Sequence, residues 1–230
     1  MSLITGIVPV SRPAGRFSVL VDGRELAVLS LEAIERLRLA VGRSVAGLEE
    51  SITLEARRLH TYDRALNILA FRARSSSELA RSLVRKGEER SHVEWAIARL
   101  TEQGLLDDEA FARSFARAKV VVGKQSRRRV QQDLARRGVS RTVSDDAIDT
   151  VFEDEAIDQR SIVEDAARKK LRSLAGLDPA MQRRRLYGFL ARRGYELDDI
   201  RATLDAIGSS LGAGADDADM ETEDGARPDV

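Results

Sequence analysis

The sequence predicts an all-α protein in which three tandem three-helix repeats form an elongated, curved array. Aromatic residues make up 4% of the chain and charged residues 33%, a composition that favours solvated helices over a β-sandwich or β-barrel. Apolar residues recur at helical spacing from about residue 48 onward, and a glycine-terminated motif occurs three times, 51 and then 56 residues apart. The predicted parts are an N-terminal β-hairpin and helical segment (1–60), repeats over 61–107, 108–154 and 155–208, and a disordered acidic tail (209–230).

A β-hairpin is predicted within the first thirty residues, centred on the Asp22-Gly23 dipeptide. Asp-Gly favours a type I′ turn, whose twist matches that of the flanking strands. Apolar residues alternate on both sides of this turn. A two-residue loop therefore predicts three facing pairs, which are Val21 with Arg24, Val19 with Leu26, and Phe17 with Val28. Residues 4–10 are expected to add a third strand that ends near Pro9.

Two helices are predicted between this hairpin and the first repeat. Ser30 is a typical N-cap residue, and we expect it to begin a helix that stops at Gly42. Its apolar stripe is formed by Leu31, Ile34 and Leu37. A second helix is expected over about 48–72, with an interruption near His60.

The three repeats are defined by the sequences LVRKG, LARRG and LARRG at residues 83–87, 134–138 and 190–194. Each glycine is predicted to end a helix in the left-handed conformation. The residues eight and four positions earlier predict one buried stripe per repeat, made by Leu79 and Leu83, Val130 and Leu134, and Leu186 and Leu190. N-caps are predicted before these helices at Ser75, Ser126 and Asp178, and after the glycines at Ser91, Thr142 and Asp198.

Several classes of chemistry are excluded by residue type. The chain has no cysteine, which excludes disulfide frameworks, thiolate zinc sites and cysteine nucleophiles. Its two histidines, His60 and His92, leave little scope for histidine-based metal or acid–base chemistry, and His92 is expected to face solvent. No phosphate-binding loop or nucleophile elbow is present. We therefore expect no catalytic residue, no metal site, no cofactor and no enzymatic activity.

The sequence also predicts a cytoplasmic protein. It has no run of about 18 apolar residues that would span a membrane. The first ten residues contain no basic residue and no long apolar core, so they do not have the pattern of a secretory signal. We expect a monomer with no membrane partner.

The formal net charge of zero conceals a basic body and an acidic tail. Residues 209–230 hold seven acidic residues and one basic residue, which leaves 31 acidic and 37 basic residues in the first 208. A basic body points to a polyanion or an acidic protein surface as the partner, and the tail is able to compete for that surface. The alternative is that the tail only increases solubility.

The junction between the first two repeats carries a family resemblance. Residues 104–112 (GLLDDEAFA) are similar to the signature of bacterial RecX regulatory proteins, and the three repeat endings and the short β-rich start are also RecX-like. The resemblance implies a modulator that binds the RecA recombinase and its filament on DNA, usually inhibiting strand exchange and ATP hydrolysis in DNA repair, recombination and the SOS response. The junction itself is expected to be structural, with Leu105 and Leu106 packed between modules and Asp107 capping the next helix.

The candidate partner-binding residues are cations of the second and third repeats. Arginine triplets occur nine to eleven residues before the glycines of these two repeats, and a basic pair precedes each glycine directly. Three consecutive helical residues fan over about 200°, so we expect the first arginine of each triplet to lean inward and the others to face solvent. The full set is Lys124, Arg127, Arg128, Arg129, Arg136, Arg137, Arg183, Arg184, Arg185, Arg192 and Arg193.

Two function classes remain open from the residues alone. A protein-interaction module would use these arginines on an acidic protein surface, which the RecX resemblance implies to be that of RecA, with weak contacts to DNA phosphates. A direct nucleic-acid binder would use them on phosphates without RecA, because basic three-helix units resemble helix-turn-helix domains. Few aromatic residues are available for base stacking, which weighs against the second class.

Overall fold

The computed structural model describes the backbone of residues 2–216, and the side chains of this range except for residues 159 and 209–216. The chain divides into two compact units, and the boundary lies between Phe111 and Ala112. The first unit contains β1 (Ile4–Pro9), β2 (Arg16–Val21), β3 (Arg24–Ser30), α1 (Leu31–Arg36), α2 (Glu49–Phe71), α3 (Ser76–Arg85), α4 (Arg90–Glu102) and the start of α5 (Asp108–Arg117). The second unit contains the rest of α5, a π-helical turn (Ala118–Val122), α6 (Arg127–Arg136), α7 (Arg141–Asp154), α8 (Gln159–Arg172), α9 (Pro179–Arg192) and α10 (Leu197–Asp216).

The N-terminal strands form an antiparallel sheet in the order β1-β2-β3. Asp22 and Gly23 have φ values of 48° and 82°, the positive signs that a type I′ turn requires. Val21 faces Arg24 as predicted, but the two other predicted pairs are wrong, since Val19 faces Ala27 and Phe17 faces Leu29. The register shifts between Val19 and Leu20 because a β-bulge places one extra residue in β3. As a result, Leu29 is buried and Leu26 is 45% exposed.

The sheet packs against α1 and α2 around a shared apolar core. The Ser30 hydroxyl accepts a hydrogen bond from the Ala33 amide, which confirms the predicted N-cap. The helix ends at Arg36, before Gly42, and Leu31 is 51% exposed, so the predicted stripe is wrong at that residue. The physical reason is that α1 is less than two turns long and turns Ala33 and Ile34 inward instead. The predicted interruption near His60 is absent, since α2 is one continuous helix.

The first repeat uses the second half of α2 together with α3 and α4. Leu79, Leu83 and Leu100 are fully buried in its core, as the spacing predicts. Leu106 joins this core at 3% exposure, whereas Leu105 is 54% exposed and the prediction that it packs inside is wrong. The two leucines differ because adjacent residues leaving a helix point in opposite directions, and one of them reaches the core. The Asp107 carboxylate accepts hydrogen bonds of 2.9 Å from the Glu109 and Ala110 amides and caps α5 as predicted.

The second and third repeats bury the predicted stripes. Val130, Leu134, Leu186 and Leu190 are each 1% exposed or less. The side chains of Ser126 and Asp178 accept hydrogen bonds from the Arg129 and Met181 amides, which confirms both N-caps.

The turn after each repeat glycine is shorter than predicted. Gly87, Gly138 and Gly194 have φ values of 87°, 79° and 82°, which confirms the left-handed helix ends. The residue after each glycine donates its amide back to the third-last residue of the helix, as Val139 does to the Leu134 carbonyl at 3.2 Å. Because this closure leaves a single linking residue, the next helices begin at Arg90, Arg141 and Leu197. The predicted N-caps Ser91, Thr142 and Asp198 are therefore wrong by two residues; in the second repeat the cap is Ser140.

The helical class with a small N-terminal sheet is confirmed. At the C-terminal end α10 continues to Asp216, past the predicted end of the third repeat at residue 208. The remainder of the predicted tail, residues 217–230, lies outside the described residues. Among the helices within residues 2–216, none combines the length and the apolar character needed to cross a lipid bilayer.

Candidate partner-binding surface

The predicted surface lies in the second unit, on the middle helices of the second and third repeats. The first arginine triplet and Arg136 belong to α6, and the second triplet and Arg192 belong to α9. Arg137 and Arg193 are the C-cap residues of these two helices, and Lys124 lies in the loop before α6. The structure brings the start of α6 to the turn after α9, since the Ser126 amide donates to the Arg193 carbonyl at 3.3 Å.

Arg137 and Arg193 are used to pack the repeats rather than to form an open surface. Their guanidinium carbons lie 4.6 Å from the ring centroids of Phe115 and Phe189, within the range of cation–π contacts. The Arg193 guanidinium also donates to the carbonyl oxygens of Gly123 and Lys124, the latter at 3.0 Å. These two arginines therefore hold helix ends in place.

Lys124 is held in the same junction. Its backbone has a φ of 46°, and its carbonyl oxygen also accepts a 2.7 Å hydrogen bond from the Tyr195 hydroxyl. Its ammonium lies 3.4 Å from the Asp165 carboxylate. Burial raises the pKa of Tyr195 well above its usual range; Asp165 raises it further and Arg193 opposes the rise. The phenol therefore remains a hydrogen-bond donor in the folded state at neutral pH.

The first triplet is paired within the protein. Arg127 forms an ion pair with Asp149, and its guanidinium carbon lies 5.3 Å from the ring centroid of Phe152. It leans onto this ring as predicted, but 40% of its side chain stays exposed. Arg128 donates to Glu196 at 3.1 Å, and Arg129 lies 3.4 Å from Asp133. Their side chains are 63% and 32% exposed, so Arg128 faces solvent as predicted whereas Arg129 is half-buried.

The second triplet is more open. Arg183 pairs with Asp205 at 2.8 Å with 54% of its side chain exposed, so the inward lean predicted for it is wrong. The reason is that its partner acid sits on the outer face of α10. Arg184 and Arg185 are exposed, and so is Arg192 near the end of the same helix. Among the side chains that the structure describes, none is an acidic partner of these three arginines. They form the unpaired part of the predicted surface.

Sequence reasoning missed a second cationic site, on α8. Arg168, Lys169 and Arg172 border a cavity of about 960 Å³ whose lining also includes Val122 and Leu171. The signal was present as a basic run at the end of α8, but it lies outside the repeated motif. Finding it requires α8 to be placed against the π-helical turn, which only the tertiary structure shows.

The two histidines line one cavity in the first unit. His92 is 5% exposed, so the prediction that it faces solvent is wrong. Because α4 begins at Arg90, His92 falls on the side of the helix that faces α2, and it lines a cavity together with His60. Among the residues that the structure describes, no group of three histidine, aspartate or glutamate side chains is arranged to hold a metal ion.

Sequence models of three successive domains match the chain. They are described as the first, second and third three-helix domains of RecX, and they match residues 62–100, 107–148 and 158–204. The regulatory protein RecX of Chlorobaculum tepidum is 31% identical over 165 residues, which is 72% of this chain and 99% of that protein. The regulatory protein RecX of Halorhodospira halophila is 38% identical over 146 residues, 63% of this chain and 86% of the relative.

Solved structures share the fold. A crystal structure of a regulatory protein RecX superposes with a TM-score of 0.72 at 22% identity and covers 89% of this chain and 100% of that one. The crystal structure of RecX from Lactobacillus salivarius gives a TM-score of 0.54 at 18% identity, with 66% and 97% of the two chains covered.

Proposed function

Because the chain belongs to the RecX family of regulatory proteins, we propose that it binds the RecA recombinase and its filament on DNA and inhibits ATP hydrolysis and strand exchange. The observation that carries this proposal is the match of all three helical domains in order, together with similarity over 99% of the Chlorobaculum tepidum relative. The protein would act as a monomer in the cytoplasm, in DNA repair and recombination.

The contacts proposed for the partner are the unpaired arginines of α9. Arg184, Arg185 and Arg192 are exposed and have no acidic partner among the described side chains (2–158 and 160–208), so no ion pair with these residues must be broken before they bind. A guanidinium recognises a carboxylate or a phosphate through two parallel hydrogen bonds. Arg136, with 69% of its side chain exposed on α6, extends this surface into the second repeat.

Three of the other predicted residues have a supporting role in this proposal. Arg137 and Arg193 pack on phenylalanine rings, and the Lys124 carbonyl accepts two side-chain hydrogen bonds. Their replacement would disturb the surface by moving α6 and α9. They are therefore positioning residues rather than contacts.

Co-sedimentation with RecA–DNA filaments tests the proposal. At physiological salt the wild-type chain is expected to sediment with filaments and to bind naked DNA at least tenfold more weakly. The variant Arg184→Glu/Arg185→Glu/Arg192→Glu is expected to lose at least tenfold in filament affinity. The control Arg24→Glu/Arg141→Glu/Arg160→Glu makes the same charge change at other exposed arginines and should bind like wild type. Equal binding to naked DNA, falling steeply with salt, would instead support a direct nucleic-acid binder.

A further inference from the structure

A cationic groove with apolar residues in its lining lies between the π-helical turn and α8 in the second unit. The apolar lining includes Val122 and Leu171, and Val122 is 80% exposed, unusually open for a valine. Four basic residues and one acidic residue line the groove, and the acidic residue, Asp165, is 3.4 Å from Lys124. The three other cations, Arg168, Lys169 and Arg172, stand on exposed positions of α8. The groove therefore suits a ligand that is acidic and carries an apolar side chain.

The chain supplies such a segment directly after α10. Residues 217–224 have the sequence DADMETED, which contains five acidic residues, no basic residue and one large apolar residue, Met220. Apolar and acidic groups thus occur together in this segment, as apolar and basic groups do in the groove. Coulombic attraction between them is weakened by salt, whereas burial of a methionine side chain adds a contribution that salt does not screen.

The segment, when extended, is longer than α8, the helix that carries three of the groove cations. α10 packs against α8 and α9 and ends at Asp216, so residue 217 starts from the repeat that carries the groove. Eight extended residues span up to about 27 Å, which exceeds the length of about 21 Å expected for a helix as long as α8. Because the segment is tethered to the same chain, its effective concentration at the groove is in the millimolar range. At such a concentration even weak binding leaves a large fraction of the grooves occupied.

We propose that residues 217–224 dock in this groove within the same molecule, with Met220 against Val122 and Leu171 and the acidic residues beside Arg168, Lys169 and Arg172. The docked segment shields three exposed cations of the third repeat from other polyanions. The proposal concerns an internal contact and stands independently of the RecA assignment.

Disulfide trapping tests the contact, because the chain has no cysteine of its own. The variant Ala175→Cys/Ala218→Cys places one thiol at the groove and one in the segment, and both changes leave Met220 and the cations intact. Its intramolecular disulfide is expected to form at least tenfold faster than that of the control Thr142→Cys/Ala218→Cys, whose first thiol lies on α7. Mass spectrometry without reductant measures the rate.

The cations are tested in the same assay. Adding Arg168→Glu, Lys169→Glu and Arg172→Glu is expected to slow trapping to the rate of the control pair, while Arg168→Lys with Arg172→Lys keeps it fast. Circular dichroism checks that each variant retains its helices. Equal trapping rates for the groove and control pairs would overturn the proposal. Disulfides formed between two molecules rather than within one would also overturn it, since the occupant would then belong to a second copy.

Discussion

The Ser126 hydroxyl donates a 2.7 Å hydrogen bond to the Gly194 carbonyl oxygen and thereby ties the second repeat to the third. The Ser126 hydroxyl oxygen also accepts a hydrogen bond from the Arg129 amide at 3.2 Å, so one buried serine both caps α6 and anchors the turn after α9. A Cβ atom on Gly194 would lie 2.8 Å from the Ser126 hydroxyl oxygen and 2.9 Å from Arg129 Cβ. Position 194 therefore requires glycine for two reasons, because a side chain would overlap Ser126 and Arg129 and because φ is 82°.

Gly194→Ala is expected to destabilise its unit more than Gly87→Ala destabilises the first. Gly87 has a similar φ of 87° and nothing within 4 Å of an added Cβ, so its replacement adds about 1–2 kcal/mol of backbone strain. Gly194→Ala adds about 1–3 kcal/mol more through steric overlap. Hydrogen exchange of the amides in α9 and in α3 measures the local free energy of unfolding in each variant. An equal loss in the free energy of unfolding for the two variants would contradict the close approach of Gly194 to Ser126 and Arg129.

Leu29→Ala is expected to cost about 2–5 kcal/mol in the free energy of unfolding of the first unit, because the side chain is fully buried. Leu26→Ala should cost about 1 kcal/mol or less, since Leu26 is 45% exposed. Denaturation followed by the fluorescence of Trp95, which packs in this unit, compares the two variants. A larger loss for Leu26→Ala would favour the regular register without the bulge.

Tyr195 makes the second unit sensitive to alkaline pH. Burial raises its pKa above the ordinary value of about 10, so the folded state keeps the phenolic proton that the unfolded chain loses near that pH. The free energy of unfolding is therefore expected to decrease as pH rises above about 10, by up to about 1.4 kcal/mol per pH unit.

Tyr195→Phe should flatten this pH dependence while losing the hydrogen bond to the Lys124 carbonyl. Urea denaturation followed by circular dichroism at pH 8 to 11 measures the slope. Tyr187→Phe, at an exposed tyrosine of α9, is the matched control and should keep the wild-type slope. The same slope in Tyr195→Phe and wild type would contradict the assigned role of this phenol.

Local signals in the sequence were sufficient for the helical repeats. N-caps such as Ser75 and Ser126 and the stops at Gly87, Gly138 and Gly194 act through nearest backbone groups, and a stripe such as Val130 and Leu134 needs only helical spacing. The register of β3 depends on one bulged residue. The first residues of α4, α7 and α10 depend on the hydrogen bond that closes the turn after each repeat glycine. Both are small geometric shifts that residue types alone do not distinguish.

The candidate surface was less predictable because charge alone does not reveal a partner. Arg137 lies 22 positions after Phe115 in the chain, and their contact appears only when α5 packs beside α6. Arg193 likewise meets backbone carbonyls about 70 positions away. Arg184 and Arg185 could be placed on the open face from helical spacing, because they need nothing beyond the orientation of α9.

The most direct test of the account is the rate of RecA ATP hydrolysis on single-stranded DNA during titration with the full chain. The wild-type chain is expected to lower this rate in proportion to the fraction of the RecA filament that it binds. The variant Arg184→Glu/Arg185→Glu/Arg192→Glu should need at least tenfold more protein for half-inhibition, and Arg24→Glu/Arg141→Glu/Arg160→Glu should match wild type. A rate that stays constant at saturating wild-type protein would contradict the assignment of this chain as an inhibitor of RecA.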